Sequence, residues 1–220
     1  MFTGIIEAIG RVQQVDNKQG DLRLRIHTGA LDLSDVRLGD SIATNGVCLT
    51  VVELPGNGFV ADVSRESLAH TRIAHWNAGT AVNLEKAMTP STRMGGHIVT
   101  GHVDGVGVVK QRSADARSIR FTIEAPAALR KYIAAKGSIT VDGVSLTANA
   151  LSAEGFELNI VPHTAAQTTL IHLQPGAQVH LEVDIIARYL EQLLSGSKTD
   201  NNAQESRLTP AFLAQNGFWK

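Results

Sequence analysis

The sequence contains little cysteine, few aromatic residues and no excess of charge of one sign. One cysteine among 220 residues excludes an intrachain disulfide framework and a thiolate-rich metal site, and it fits a reducing cytosol. A net charge of -1 argues against nucleic acid as the main partner. No run reaches the roughly 18 apolar residues of a membrane span, and Met1–Glu7 lacks the basic start of a signal peptide. We therefore expect a cytoplasmic protein that binds neither nucleic acid nor membrane.

Motifs of the common cofactor sites are also missing. The sequence has no phosphate-binding glycine loop, no dinucleotide fingerprint and no nucleophile elbow. His97 and His102 lie five residues apart in a glycine-rich segment, but no third ligand accompanies them at a recognisable spacing. The signal for a metal site is therefore weak.

What the chain does contain is an internal repeat with an offset of 97 residues. The segment Ser41–Thr50 falls on Ser138–Thr147 with six of ten positions identical. At the same offset Thr3 falls on Thr100, and the block starting at Val82 also finds its counterpart. One offset shared by three separate blocks predicts two homologous domains, each long enough for its own core. Such a duplication offers two similar pockets, which suits chemistry on two similar molecules.

Short strands separated by glycine-rich turns dominate both copies. Asp21–Ile26 and Ser118–Ile123 alternate polar and apolar residues with the period of a strand. Many short strands with such turns predict a mainly β protein built as an antiparallel sandwich or barrel. The other strands that the pattern predicts are Val47–Val52, Phe59–Val63, Gly137–Leu146 and Gly155–Ile160.

Helical signals are few. Short helices are expected after Ser64 and Val161, and Pro126–Ala135 reads as one further helix. Asp184–Ser195 carries an apolar stripe at helical spacing. That stripe could pack on the chain's own barrel or against the same helix of other subunits. Ala87–Gly96 is typical of a linker between the copies.

Each copy places small polar side chains on one face of a strand. Cys48 and Thr50 share a face, as do Ser145 and Thr147, because residues two apart in a strand point to the same side. Such pairs can hydrogen-bond a polar heterocycle, although Ser and Thr are also common on half-buried strands. Their recurrence at the repeat offset favours a functional role.

The two copies differ in their acid/base side chains, since the second copy carries a set that the first lacks. We therefore expect both halves to bind a ligand and the proton chemistry to concentrate on the second half. Each residue also has a structural explanation: Asp184 could cap the last helix, Lys136 could be a solvated turn residue, and His102 could be a structural histidine with its hydrogen bonds satisfied. The corresponding positions are His102 and Ile5, Lys136 and Gly39, Asp184 and Ala87, and Ser145 and Cys48.

Five motifs in this order resemble the riboflavin synthase family of the trimeric alpha-chain type. The resemblance covers about residues 1–195 and implies two tandem homologous six-stranded antiparallel Greek-key barrels followed by a C-terminal α-helix. The implied domains are residues 1–96, residues 97–184, a trimerisation helix at 185–196 and a tail at 197–220. The motifs are Met1–Glu7, Asn45–Val51, Gly95–Gly105, Lys136–Thr147 and Val179–Ile185.

The resemblance also implies an activity and partners. Members of that family are transferases that dismutate two molecules of 6,7-dimethyl-8-ribityllumazine to riboflavin and 5-amino-6-ribitylamino-uracil, the last step of riboflavin biosynthesis. A four-carbon unit is transferred without a cofactor or a metal. Three chains form a homotrimer with the active site between subunits, and a contact with lumazine synthase is a further expectation.

The family's site residues carry over onto matching positions of this sequence. The catalytic set so implied is Ser145, Asp184, His102, Thr147, Lys136 and Cys48. The substrate-binding set is Gly4, Ile5, Ile6, Cys48, Leu49, Thr50, Asp62, Val63, Ser64, Arg65, Glu66, Ser67, Gly101, His102, Val103, Lys136, Ser145, Leu146, Thr147, Asn159, Ile160, Val161, Pro162, His163 and Thr164.

Other functions fit the same pattern less well. Lumazine-binding antenna proteins share the duplicated fold without catalysis, but their second half is typically degenerate, whereas here it is intact. A flavin reductase would need a nicotinamide-binding α/β domain, and the sequence shows no such pattern. A purely structural pair of barrels would leave Lys136, His102 and Asp184 without a shared reason.

Overall fold

The computed structural model of the protein describes residues 1–199 and Gln215. This part of the chain is mainly β, as predicted. Where the sequence predicts strands they form, usually with one residue more at an end. None of its helices combines the length and apolar content needed to cross a membrane. The expected tail at 197–220 lies almost wholly outside the described residues.

The first half folds into a closed barrel of six antiparallel strands. Their order around the barrel is β1-β2-β5-β4-β3-β6, and β6 pairs with β1 to close it. The short helix α1 and a 3-10 turn at Ile73–His75 connect β5 to β6. The elements are β1 (Ala8–Lys18), β2 (Asp21–His27), β3 (Ser41–Thr44), β4 (Val47–Glu53), β5 (Gly58–Val63), α1 (Arg65–His70) and β6 (Ala81–Lys86).

The second half repeats this design as a curled seven-stranded sheet. Its order is β10-β9-β13-β7-β8-β12-β11, and every pairing is antiparallel. The elements are β7 (Gly105–Asp115), β8 (Ser118–Glu124), α2 (Ala127–Arg130), β9 (Ser138–Val141), β10 (Val144–Thr147), β11 (Ala150–Leu151), β12 (Gly155–Ile160), α3 (Pro162–Gln167) and β13 (Gln178–Val183). A 3-10 turn at Thr169–His172 follows α3.

One strand of the first barrel corresponds to two strands in the second half. At the repeat offset β4 falls on β10 and β11 together, and Ala148 and Asn149 interrupt the strand between them. The Asn149 N–H still donates to the Glu157 carbonyl at 2.8 Å, so β12 remains attached across the interruption. The predicted strand Gly137–Leu146 is likewise two strands, since Asp142 and Gly143 form a tight turn with positive φ at both positions.

Each half encloses its own apolar core. Alternate residues of β2, such as Leu24 and Ile26, are buried in the first core, and Phe121 and Ile123 of β8 are buried in the second. Burying one such side chain stabilises the fold by about 1.5–3 kcal/mol. The alternation read from the sequence is therefore the inside–outside alternation of both sheets.

The helices differ in length from their predictions. Short helices begin after Ser64 and Val161 as expected, and the Ser64 side chain caps the first by accepting a hydrogen bond from the Ser67 N–H. The prediction of one helix over Pro126–Ala135 was wrong, because α2 ends at Arg130 and the chain continues in tight turns. Helix α4 (Ile185–Thr199) begins one residue after the start of the predicted segment Asp184–Ser195 and ends four residues beyond it.

His180 ties the second half to the first. Its ring lies in β13, and Nδ1 donates to the Asn45 carbonyl while Nε2 accepts from the Arg72 backbone N–H, both at 2.8 Å. These two bonds require a neutral ring with its proton on Nδ1. Burial lowers the pKa of His180, which keeps the ring in that neutral form.

Asn83 makes the reciprocal tie from the first half to the second. Asn83 is the counterpart of His180 at the repeat offset. Its amide donates to the Asp142 carbonyl at 3.0 Å and accepts from the Thr169 N–H at 2.8 Å. Asp142 and Thr169 are the counterparts of Asn45 and Arg72, so the two halves meet through the same contacts made twice.

Candidate functional site

Two short segments cross from one half to the other and contact Ser145 and Cys48, each of which lines a cavity. The Gly4 carbonyl accepts a hydrogen bond from the Ser145 N–H, and the Gly101 carbonyl accepts one from the Cys48 N–H, both at 2.8 Å. Both glycines have φ near +80°, at +75° and +80°. A Cβ on Gly4 would lie 2.6 Å from the Ser145 Cβ, and one on Gly101 would lie 2.6 Å from the Cys48 Cβ. Only glycine allows this approach and this backbone conformation.

Buried glutamates hold both crossing segments. Glu85 accepts from the Thr3 N–H at 2.7 Å, from the Thr3 hydroxyl at 2.6 Å and from the Gly4 N–H at 2.9 Å. Glu182 accepts from the corresponding three groups of Thr100 and Gly101 at 2.6, 2.8 and 3.0 Å. Burial raises the pKa of both carboxyls, although these hydrogen bonds act in the opposite direction. Each glutamate thus positions a segment of its own half that contacts Ser145 or Cys48 of the other half.

The second-half cavity has a volume of about 540 Å³ and a largely polar lining. It brings together five of the residues that the sequence indicated. Four lining residues were missed, because no pattern in the sequence places the end of the linker, Ser138 or Asn149 beside Ser145. The expected residues are Ser145, Leu146, Thr147, Asn159 and Val161, and the missed ones are Gly95, Gly96, Ser138 and Asn149.

His97 contacts the central hydroxyl of this cavity. Its Nδ1 lies 2.7 Å from Ser145 Oγ. Burial lowers the pKa of His97, while the negative charge of Asp184 opposes that shift. The sequence offered His97 only as half of a weak metal signal and not as a site residue. Its position directly after Gly95-Gly96 was the signal that could have revealed it.

Lys136 lies at the rim of the second-half cavity in an unusual backbone conformation. Its φ is +64°, in the left-handed region that its counterpart Gly39 occupies at +91°. Its Nζ approaches Oδ1 of the cavity residue Asn149 at 3.5 Å, which is a weak contact. Left-handed backbone costs a non-glycine residue about 1–2 kcal/mol, and such strain is often found at functional sites.

The first-half cavity is smaller, at about 230 Å³. It brings together Cys48, Glu66, Ser67, Gly101, His102 and Val103 from the expected set, together with Val47, His70 and Thr71. His102 belongs to the second copy, but in the single chain it lines the first-half cavity. Because the Gly101 carbonyl is bound to Cys48, the next residue of the crossing segment lies in the first-half cavity.

Other expected site residues serve the fold where the structure places them. Asp62 forms a bidentate pair with Arg23 at 2.7 and 2.9 Å, which lowers the pKa of Asp62. Arg65 donates to the Gln19 carbonyl at 2.6 Å. Leu49, Val63 and Ile160 are buried in the cores, and Ile6 packs against the core of the second half.

The remaining expected residues lie on exposed or partly exposed surface. Ile5 lines a further cavity of about 400 Å³ beside the linker, and Thr50 is exposed on β4. Pro162, His163 and Thr164 form the first turn of α3. Asp184 is partly buried and immediately precedes α4. Within residues 1–199 and Gln215 no three His, Cys, Asp or Glu side chains form a group that could hold a metal ion.

A protein-family comparison matches the chain twice. The lumazine binding domain family matches residues 3–87 and residues 100–184. Both matches together include the two crossing segments, the positions related by the 97-residue repeat and the lining of both cavities except Gly95 and Gly96.

Individual proteins are similar over nearly the whole chain. A riboflavin synthase of Photobacterium phosphoreum is 49% identical over 218 residues, which is 99% of this chain and 99% of that protein. A riboflavin synthase of Bacillus subtilis is 38% identical over 218 residues, covering 99% of this chain and 100% of that one. Among solved structures, LumP complexed with 6,7-dimethyl-8-(1'-D-ribityl) lumazine has a TM-score of 0.75 at 25% identity, over 83% of this chain and 99% of LumP.

Proposed function

Since the chain belongs to the riboflavin synthase family, we propose that each of its two halves binds one molecule of 6,7-dimethyl-8-ribityllumazine. The chain is a transferase of the riboflavin synthase type. It passes a four-carbon unit from one lumazine to the other and yields riboflavin and 5-amino-6-ribitylamino-uracil. The observation that carries this proposal is a cavity in each half at the repeat-related residues Cys48 and Ser145, whose N–H groups each donate to a carbonyl of the other half.

The cavities suit the two roles of a dismutation. A flat polar heterocycle can bind between backbone groups and the small polar side chains of β4 or β10. The second-half cavity offers the Ser145 and Thr147 hydroxyls and the Asn159 amide. The first-half cavity offers Cys48 and His102. These different side chains allow one half to serve the donor and the other the acceptor.

The chemistry requires deprotonation of one substrate and addition to the other. The C7 methyl group of the lumazine is acidic because its carbanion delocalises into the ring. Alignment of the two rings turns a bimolecular step into an effectively unimolecular one, which supplies much of the rate. Ser145 and Asp184 activate the nucleophile, and His102 relays protons from the first-half cavity. Lys136, Thr147 and Cys48 complete the proposed catalytic set.

We further propose that the chain forms a homotrimer through α4. Ile186, Tyr189, Leu190, Leu193 and Leu194 of this helix are each more than half exposed in the single chain. An apolar stripe of this kind is stabilised when other subunits cover it. In such a trimer the first-half cavity of one subunit faces the second-half cavity of the next, which brings two lumazines together. A cytoplasmic location and contact with lumazine synthase belong to the same proposal, and the first is supported by the free Cys48.

The deciding experiment is turnover by the purified full-length chain. The protein is incubated with 6,7-dimethyl-8-ribityllumazine without any added cofactor, and riboflavin is followed by absorbance and fluorescence. We expect one riboflavin for every two lumazines consumed.

The similarity to LumP makes a binding protein without catalysis the alternative. Tight binding of the lumazine with no riboflavin formed would reject the synthase and support that alternative. Riboflavin formation that depended on a nicotinamide or a metal would also contradict the proposal.

A further inference from the structure

His97 lies where it can act on the hydroxyl at the centre of the second-half cavity. Its Nδ1 and the Ser145 Oγ are 2.7 Å apart, a short and therefore strong hydrogen bond. The His97 ring is outside the set of site residues carried over from the family resemblance. Its function in the proposed reaction therefore has to follow from its surroundings.

The neighbouring backbone fixes the distance between the two side chains. The His97 N–H donates to the Thr3 carbonyl at 3.2 Å, and Thr3 is itself held by buried Glu85. A Cβ on the preceding Gly96 would lie 2.1 Å from the Thr3 carbonyl oxygen and 2.8 Å from the Ser145 Oγ. Glycine at this position therefore allows His97 and Ser145 to meet, and three segments of the chain hold them in place.

The ring has the electrostatic surroundings of a proton acceptor. It is partly buried, and desolvation lowers the pKa of His97, so the imidazole is neutral near pH 7. A neutral ring has one nitrogen free to accept a hydrogen bond. Asp184, just before α4, opposes the shift in pKa with its negative charge and so stabilises the ring once it is protonated. His97 and the Ser145 hydroxyl thus form a hydrogen-bonded pair, and Asp184 acts on the ring through its charge.

We propose that His97 positions the Ser145 hydroxyl and accepts its proton during turnover. In that step the Ser145 O–H bond breaks, an N–H bond forms at His97 Nδ1, and both electrons of the broken bond stay on Oγ. Asp184 stabilises the resulting imidazolium, and the proton returns to oxygen when the cycle ends. Nothing is oxidised or reduced, and no further reactant is needed. His97 thus acts through Ser145, a role that rests on the proposed function of the second-half cavity.

The test compares His97→Asn, Ser145→Ala and the double variant by single-turnover formation of riboflavin. Asn keeps a polar atom near the place of Nδ1 but cannot take the proton. We expect His97→Asn to slow turnover about 100-fold with lumazine affinity within about threefold of wild type. The double variant is expected to be no slower than Ser145→Ala, because residues that act as one unit are non-additive. His172→Asn, an exposed histidine outside both cavities, is the matched control.

The pH profile separates a proton acceptor from a merely structural histidine. Wild-type turnover should fall as the pH drops below the lowered pKa of His97, and His97→Asn should lose this limb. Independent, additive losses in the double variant would overturn the proposal, as would a His97→Asn profile that keeps the wild-type limb.

A measurement on the wild-type fold covers the case in which His97→Asn does not fold. Imidazole ¹⁵N NMR should show a neutral His97 ring at pH 7, with an Nδ1 resonance that shifts in Ser145→Ala. A protonated ring, or an Nδ1 resonance that is the same in wild type and Ser145→Ala, would overturn the proposal. If wild type binds the lumazine but forms no riboflavin, the proposed function fails. These spectra still test the protonation state of His97 and its hydrogen bond to Ser145.

Discussion

Lys136 occupies a backbone conformation that its counterpart Gly39 adopts without strain. The left-handed φ of +64° at Lys136 is unfavourable for a lysine, and the side chain points its charge toward the cavity residue Asn149. At the residue scale, Lys136 lowers the stability of the fold and places a positive charge at the rim of the site.

Lys136→Asn should therefore stabilise the fold and weaken catalysis. Asn tolerates left-handed backbone better than Lys, so we expect the free energy of unfolding to rise by about 0.5–1 kcal/mol. Turnover should fall because the cation is lost. Urea unfolding and steady-state kinetics measure the two effects. Ala116→Asn is the control, since Ala116 has φ of +52° outside both cavities and should gain stability without losing activity. A Lys136→Asn variant with full activity would contradict the role at the site.

Single residues could be predicted only where the repeat or the resemblance marked them. Ser145 and Cys48 stood out because they recur at the same offset in small polar pairs. The location of His102 in the first-half cavity could not be predicted, because nothing local reveals that Gly101 binds Cys48. His97 was missed as a site residue because its role depends on one contact with Ser145, far away in the sequence.

At the scale of elements, α4 carries the prediction for assembly. Its exposed apolar stripe is the proposed trimer contact. We expect Leu193→Lys to convert a trimer into monomers at micromolar concentration, because burying a lysine charge among apolar side chains is costly. Sedimentation velocity measures the change, and circular dichroism should show that the β structure is retained. Gln192→Lys, at an exposed neighbouring position, should leave the trimer intact. A monomeric wild type, or a trimeric Leu193→Lys, would refute the contact.

Strands were easier to predict than their interruptions. Alternation located β2 and β8 nearly to the residue, because both faces of a sheet impose period two on the sequence. The split of one strand into β10 and β11 was not predicted, since Ala148 and Asn149 are compatible with a strand. The helix over Pro126–Ala135 was predicted too long because its residues have good helix propensity, which tight turns and burial of Leu129 and Ile133 override.

At the scale of the molecule, two equivalent sets of hydrogen bonds join the halves. One set contains a group that titrates and the other does not. His180 and Asn83 make equivalent ties across the junction, but only the histidine can take up a proton. Burial lowers the pKa of His180 in the folded protein. The unfolded chain therefore binds more protons than the folded one at any pH between that lowered pKa and the ordinary value. In this window stability rises with pH and is lost on acidification.

His180→Asn should remove this loss of stability at low pH while keeping the hydrogen bonds between the two halves. Below about pH 6.5 we expect wild type to lose stability relative to the variant. The loss in free energy of unfolding should be up to about 1.4 kcal/mol per pH unit. Glu85, Glu182 and His97 titrate in both proteins and cancel in the difference. Urea denaturation from about pH 5 to pH 7.5 is the measurement. A difference that does not vary with pH would show that His180 is not the titrating group.

The symmetry of the junction between the halves also determines how their residues can vary. The turns at Gly46 and Gly143 meet so closely that a Cβ on either would lie 2.7–2.8 Å from the backbone nitrogen of the other. This is the geometry of a pseudo-twofold axis, like that between two identical subunits. In a pair of identical subunits every mutation would change both sides of the axis at once. In one chain the two sides can differ, as His180 differs from Asn83 and Lys136 from Gly39.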